Sequence, residues 1–178
     1  MDRDILDRAE KIKLVIFDVD GVLTDGRLYF DHEGREYKTF HARDGLGLRF
    51  LREFGIEMAV ISGRRSDIVE RRLRAFGITL IYQGYEEKLA AFERILKERP
   101  YSLAEIAYVG DDLLDLPVMR RVGLAIAVQD AHVLVKQQAH WVTALPGGRG
   151  AVREVCDLLL EAQGHLEALK ERYLSPRS

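Results

Sequence analysis

The run KLVIFDV at residues 13–19 restricts the fold more than any other segment of the chain. Its apolar residues, most of them β-branched or aromatic, follow one another without polar alternation, so a strand here must be covered on both faces. That is the situation of a strand inside a parallel sheet wrapped by helices. Further short apolar runs predict strands at 57–62, 79–82, 106–110 and 124–127, with a short one at 140–142. Between them, i, i+3, i+4 apolar spacing predicts helices over 44–54, 67–76, 86–98, 112–121 and 150 to about 173. The alternation defines an α/β fold, a doubly wound and mostly parallel sheet. One region departs from it: residues 26–42 read as a β-hairpin insert, two aromatic-rich runs around a turn at Asp31-His32-Glu33-Gly34.

A chain of 178 residues supplies one hydrophobic core, so a single domain spanning 1–178 is expected, ending in a disordered tail at 174–178. The net charge of -2 offers no electrostatic footprint for nucleic acid or anionic lipid. No apolar run reaches the roughly 18 residues of a membrane span, and the charged N-terminus lacks a signal-peptide core. A cytoplasmic protein is expected. The lone cysteine, Cys156, lies in the helical run AVREVCDLLLEA, where a small buried thiol in a reducing compartment is the ordinary reading.

In open α/β sheets ligands gather beyond the carboxyl ends of the strands. Four such ends are polar here: Asp18-Val19-Asp20-Gly21, Ser62-Gly63-Arg64, Lys88 beside the third strand, and Gly110-Asp111-Asp112. Each alone has an ordinary explanation as a helix cap, a loop or a solvated lysine. Together they supply a nucleophile, a proton donor, carboxylates for a hard cation and donors around a phosphoryl group, which is what phosphoryl transfer needs. Asp18 is placed as nucleophile, sharing Mg²⁺ with Asp111, and Asp20 as acid and base with its carbonyl toward the metal. Ser62 and Lys88 are placed on the non-bridging phosphate oxygens.

In order, Asp18-x-Asp20-Gly-Val-Leu-Thr, Ser62, Lys88 and Gly-Asp111-Asp112-x-x-Asp115 resemble the four motifs of the haloacid dehalogenase superfamily. The resemblance implies the same roles for Asp18 and Asp20, metal ligation by Asp18, the Asp20 carbonyl and Asp111, and supporting positions for Asp112 and Asp115. It narrows further. DVDGVLTDGRLYF, FHARDGLGL, ISGRRS, YQGYEEKL, YVGDDLLDLPVM and GGRGAVREVCDLLLEAQG are similar to the family of 3-deoxy-D-manno-octulosonate 8-phosphate phosphatases, which act on an acidic sugar phosphate on the route to bacterial lipopolysaccharide.

Neither 26–42 nor 64–88 has room for the lid domain that many superfamily members carry. The resemblance implies a homotetramer in which hairpins associate and an adjoining subunit contributes to each pocket, making Tyr29, Phe30, Tyr37 and Phe40 candidate interface positions. It also implies that His41, Ala42, Arg43, Asp44 and Gly45, with Arg49, Gly63, Arg64, Arg72 and Lys88, line the substrate site. A carboxylated sugar phosphate suits such an arginine-rich pocket. Arg49 and Arg72 also fit solvated helix faces, and the Gly-rich stretch 147–150 fits either a lid reaching a neighbouring site or a flexible helix entry. Three other readings stay open: a phosphatase of nine-carbon sialic-type sugar phosphates, a phospho-accepting receiver domain, and a non-catalytic tetrameric module. The receiver reading gives no use to Asp20, and the module reading leaves an intact catalytic set unexplained.

Overall fold

A computed structural model describes residues 2–175. Its elements run α1 (Arg3–Ala9), β1 (Leu14–Phe17), β2 (Tyr29–Phe30), β3 (Glu36–Tyr37), α2 (Ala42–Glu53), β4 (Glu57–Ser62), α3 (Asp67–Ala75), β5 (Leu80–Gln83), α4 (Lys88–Glu98), β6 (Ile106–Gly110), α5 (Leu116–Met119), β7 (Leu124–Ala127), α6 (Val133–Gln138), β8 (Trp141–Val142), α7 (Ala151–Ala162) and α8 (Leu166–Leu174). The unbroken apolar run makes β1, and all four of its residues are buried. Six strands form one sheet in the order β5-β4-β1-β6-β7-β8, and every pairing is parallel.

From β1 the chain builds outward to β4 and β5, then returns to the other side of β1 for β6, β7 and β8. The winding therefore reverses between β1 and β6, and the crevice beyond the carboxyl ends there is where such sheets bind ligands. Phe17 pairs with Val109, and the Asp18 N–H donates to the Val109 carbonyl at 3.0 Å. Asp18 and Asp111 consequently leave neighbouring strands on the same side.

Helices α1, α2 and α7 pack together on the sheet, while α4, α5 and α6 form a second group. Cys156 is fully buried where α7 faces α2, as its helical apolar setting predicts. The hairpin forms as expected but is minimal: Tyr29 pairs with Tyr37 and Phe30 with Glu36, and Asp31 Oδ1 accepts from the N–H groups of Glu33 and Arg35 at 2.9 Å each.

Several boundaries differ from the periodic reading. The predicted helix at 150–173 is two helices, because Gly164 takes the left-handed conformation (φ 74°) and ends α7; α8 then returns toward α2, with Arg172 paired to Glu53 at 2.7 Å. Leu174, assigned to the tail in that reading, instead closes α8; residues 176–178 lie outside those described. The segment 112–121 is a 3-10 turn, Leu113–Asp115, followed by the short α5. Two short helices, α1 and α6, lack enough periodic residues to be read from sequence; α1 is held by Ile5 and Ala9 against the core.

The stretch 147–150 is packed rather than loose. Gly148 donates its N–H to the Val22 carbonyl at 2.9 Å, and Gly147 to Asp130 Oδ1 at 2.9 Å. A Cβ on Gly147 would lie 1.6 Å from the Gly21 carbonyl oxygen, so here backbone rests directly on backbone. Gly147→Ala must push the turn after β1 aside and is expected to cost about 1–3 kcal/mol, the usual range for overpacking. Urea unfolding checks this, and an unchanged midpoint would mean that the turn yields freely.

Candidate active site

Asp18 is followed by a wide helical turn, Val19–Leu23, interrupted by extended Asp20 (φ -78°, ψ 112°) and left-handed Gly21 (φ 96°). A side chain at Gly21 would be strained, and its Cβ would meet Asp111 Oδ2 at 2.1 Å. The close approach lets the first and fourth strand ends share one site. Thr24 secures the turn from within, its hydroxyl donating to the Val19 carbonyl at 3.3 Å and accepting from Gly26 N–H at 3.3 Å.

Behind Asp18 lies a buried ionic cluster. Lys88, in the first turn of α4, places Nζ 2.8 Å from Asp18 Oδ1 and 2.6 Å from Asp115 Oδ1. Asp115 is completely buried and fully engaged. Its Oδ1 also accepts from the Tyr108 hydroxyl at 2.6 Å, and its Oδ2 from the N–H groups of Asp111 (2.9 Å) and Asp112 (3.1 Å). Carboxylate oxygens of Asp18, Asp111 and Asp115 lie within 4.8 Å of one another. With Asp115 committed to four donors, Asp18 and Asp111 are the pair left to face a cation. Asp111 Oδ1 is buried with no hydrogen-bond partner among the described residues.

The electrostatics point the same way. Burial pushes Asp18 up to about 6, with Lys88 opposing and Asp115 adding to the rise. Burial, then the Asp18 and Asp115 charges, push Asp111 up to about 8. Burial pulls Lys88 down, but the Asp18 and Asp115 charges outweigh it and hold the ammonium above its ordinary value. Three carboxylates around one lysine leave an excess of negative charge, and an all-oxygen donor set of this kind fits a hard divalent cation.

A cavity of about 180 Å³ opens over this cluster, lined by Asp18, Asp20, Ser62, Gly63, Arg64, Lys88, Asp111, Asp112 and Leu114. Eight of these nine are residues singled out in the sequence. Ser62 is buried and its Oγ accepts from the Arg64 N–H at 3.3 Å; Asp112 caps the turn after β6 through Leu113 N–H at 2.7 Å. The remaining candidates lie elsewhere in the subunit. Ala42, Gly45, Arg49 and Arg72 line a separate cavity of about 360 Å³ together with Arg52 and Phe76, and the Arg72 guanidinium stacks 4.3 Å above the Phe76 ring. Asp44 is buried and caps α7, accepting from the Arg153 N–H at 2.9 Å. His41 Nδ1 lies 4.0 Å from Asp44 Oδ1, and Arg43 is exposed.

Three contributors escaped the sequence reading. Tyr108 is a polar tip inside an otherwise apolar strand, and its need for a buried partner is the signal that could have found it. Leu114 is more than half exposed at the cavity wall. Lys38, just after β3, reaches across to the Asp20 carboxylate.

The haloacid dehalogenase-like hydrolase model matches residues 75–152, the stretch that contains Lys88 and Asp111. The 3-deoxy-D-manno-octulosonate 8-phosphate phosphatase of Escherichia coli strain K12 is 52% identical over 167 residues, covering 94% of this chain and 89% of that protein. The chain belongs to this phosphatase family. Its Yersinia pestis member has a crystal structure that matches with a TM-score of 0.91 at 50% identity, covering 93% of this chain and 89% of that one. The Moraxella catarrhalis member, solved in complex with magnesium ion, phosphate ion and KDO, matches with a TM-score of 0.94 at 40% identity, covering 97% of this chain and 99% of that one.

A pH prediction follows from the raised carboxylates. Their folded pKa values lie above the unfolded value of about 3.9, so their favourable contribution is complete below that pH. It is lost as pH rises through about 6 for Asp18 and about 8 for Asp111. A cation must displace those protons at acid pH and finds both carboxylates free only in alkali. The rise in Tm on adding Mg²⁺ is therefore expected to be larger near about pH 8.5 than near about pH 5. Melts with Mg²⁺ and with chelator at both pH values check this; equal shifts would place the cation elsewhere.

Proposed function

We propose that this chain is the Mg²⁺-dependent phosphatase that releases inorganic phosphate from 3-deoxy-D-manno-octulosonate 8-phosphate in lipopolysaccharide precursor biosynthesis, through an aspartyl-phosphate on Asp18. The observation that carries the reading is the pairing of Asp18 with Lys88 beside Asp111, whose buried Oδ1 has no partner among the described residues, at the sheet's switch point, in a chain so similar to phosphatases of that substrate. Asp18 attacks phosphorus and the sugar oxygen leaves, taking its proton from Asp20. Asp20 then removes a proton from the water that cleaves the aspartyl-phosphate. Ser62 and Lys88 hold the non-bridging oxygens, and Asp112 and Asp115 support the metal-bearing turn. Asp18, the Asp20 carbonyl and Asp111 are the residues to hold Mg²⁺, which would offset the charge of the phosphate.

The cavity over Asp18 suits a phosphoryl group and little more, whereas an eight-carbon sugar acid needs further walls. The exposed Tyr29, Phe30 and Tyr37 on the hairpin support assembly into a homotetramer that supplies them. Phe40 is the exception, packing edge-on to Phe76 of its own subunit at 6.3 Å. In this reading Arg49, Arg72 and the 41–45 segment serve the substrate's acid end at a subunit boundary. Among the described residues no helix is long and apolar enough to cross a membrane, and we place the enzyme in the cytoplasm as a single-domain protein.

Phosphate release from a panel of eight-carbon and nine-carbon sugar phosphates tests the substrate; preference for a nine-carbon sialic-type ester would move the chain to that sister activity. Asp18→Asn is expected to lower kcat at least about a thousandfold while the fold persists, the scale of nucleophile loss in covalent hydrolases. Retention of substantial turnover would remove the covalent route. Charged replacements at Tyr29 and Phe30 are expected to dissociate the assembly and to depress activity on the sugar phosphate far more than on a small aryl phosphate. Size-exclusion fractions assayed with both substrates decide this, a fully active monomer being the contrary outcome.

A further inference from the structure

We propose that Lys38 is a positioning residue for Asp20, so that the hairpin takes part in catalysis as well as in packing. The inference rests on the proton-transfer role given to Asp20 above. Asp20 sits beside Gly21, on the part of the turn with the most backbone freedom, and its side chain remains about one-fifth exposed. Nothing in the turn itself fixes the direction of its carboxylate. The hydrogen bond that does so among the described residues comes from Lys38, whose Nζ donates to Asp20 Oδ1.

Lys38 is unusual for a lysine next to a surface hairpin, because its side chain is only 2% exposed. A buried ammonium is costly unless paired. Here it meets two carboxylates, Asp20 on one side and Glu36 Oε1 at 3.2 Å on the other. Glu36 in turn accepts from Arg64 Nη2 at 2.9 Å. Four charges of alternating sign, Asp20, Lys38, Glu36 and Arg64, thus run from the turn after β1, through the hairpin, to the loop after β4. Two of the four line the cavity over Asp18.

With Oδ1 held by Lys38, Oδ2 is the oxygen left to meet the leaving group and later the water. Proton transfer requires a heavy-atom separation near hydrogen-bond length, and a misplacement of about 1 Å can cost on the order of a hundredfold in rate. A two-stranded hairpin with two-residue strands is marginal by itself, so the charge chain also fixes the element that carries Lys38.

A double-mutant cycle separates positioning of Asp20 from mere support of the hairpin. Lys38→Met, Asp20→Asn and the combination are compared by kcat and KM for nitrophenyl phosphate, with oligomeric state checked for each. Lys38→Met is expected to lower kcat by about 10- to 100-fold with KM nearly unchanged, and Lys38→Arg to recover most of that loss. In the Asp20→Asn background the same substitution is expected to change kcat by less than about twofold, because the group it positions is already gone. Equal losses in both backgrounds, or unaltered kcat in Lys38→Met, would overturn the proposal while leaving the reading of Asp20 intact. Full activity in Asp20→Asn would overturn both, and is distinguished by that single variant. Should Lys38→Met not assemble, Lys38→Leu, which likewise removes the donor, carries the same cycle and is read in the same way.

Discussion

The ammonium of Lys88, buried between Asp18 and Asp115, is the interaction on which the rest of the site depends. Charges removed from water are tolerated only with close partners, and removing one member of such a buried set typically costs about 3–5 kcal/mol. Lys88 has two partners, and Asp115 has four donors, so this half of the cluster is closed. The other half is not. Asp18 is paired on one oxygen, and Asp111 keeps a buried oxygen without a partner among the described residues. The fold thus spends its own hydrogen-bonding groups on fixing the carboxylates and leaves an excess of negative charge at the mouth. A site prepared in this way has little to reorganise when a cation and a phosphate arrive together, which is the condition for electrostatic catalysis.

The parts legible in sequence are those where residue type and strand position coincide. Asp18, Ser62 and Asp111 end strands whose apolar runs are unmistakable, and the parallel sheet follows from the same runs. Lys88 was legible only as a polar residue in the right place; that it joins two carboxylates belongs to tertiary packing. Lys38 carries no local signal, because a lysine after a hairpin is ordinarily solvated. Asp44 shows the reverse case. The resemblance implies that it lines the substrate site, yet within the subunit it caps α7, a contact between residues 109 positions apart that no periodicity encodes. The helix break at Gly164 was missed because apolar spacing continues across it while the backbone does not.

The two cavities differ in chemistry. One is small, carboxylate-rich and rigidly braced; the other is lined by Arg49, Arg52 and Arg72 with an aromatic floor at Phe76. One subunit holds them apart, so under the proposed function the elements that would meet the phosphate differ from those that would meet the acid. The hairpin carries both exposed aromatics and the Lys38–Glu36 pair. Reaction chemistry can therefore stay fixed on the sheet while recognition is altered in the insert and on the helices.

The contact of Gly147 and Gly148 with the turn 21–25 has a consequence for synthesis. A ribosome delivers β1 and its Asp18 early, but the backbone that supports that turn is made only after about four-fifths of the chain has emerged. Until then the turn lacks the surface against which it is shaped, and the central strand lacks β6, its neighbour on one side. The turn after β1 is thus among the last parts of the site to reach working geometry. A prematurely ended chain would carry every strand-end aspartate and still lack the piece that sets the first of them in place.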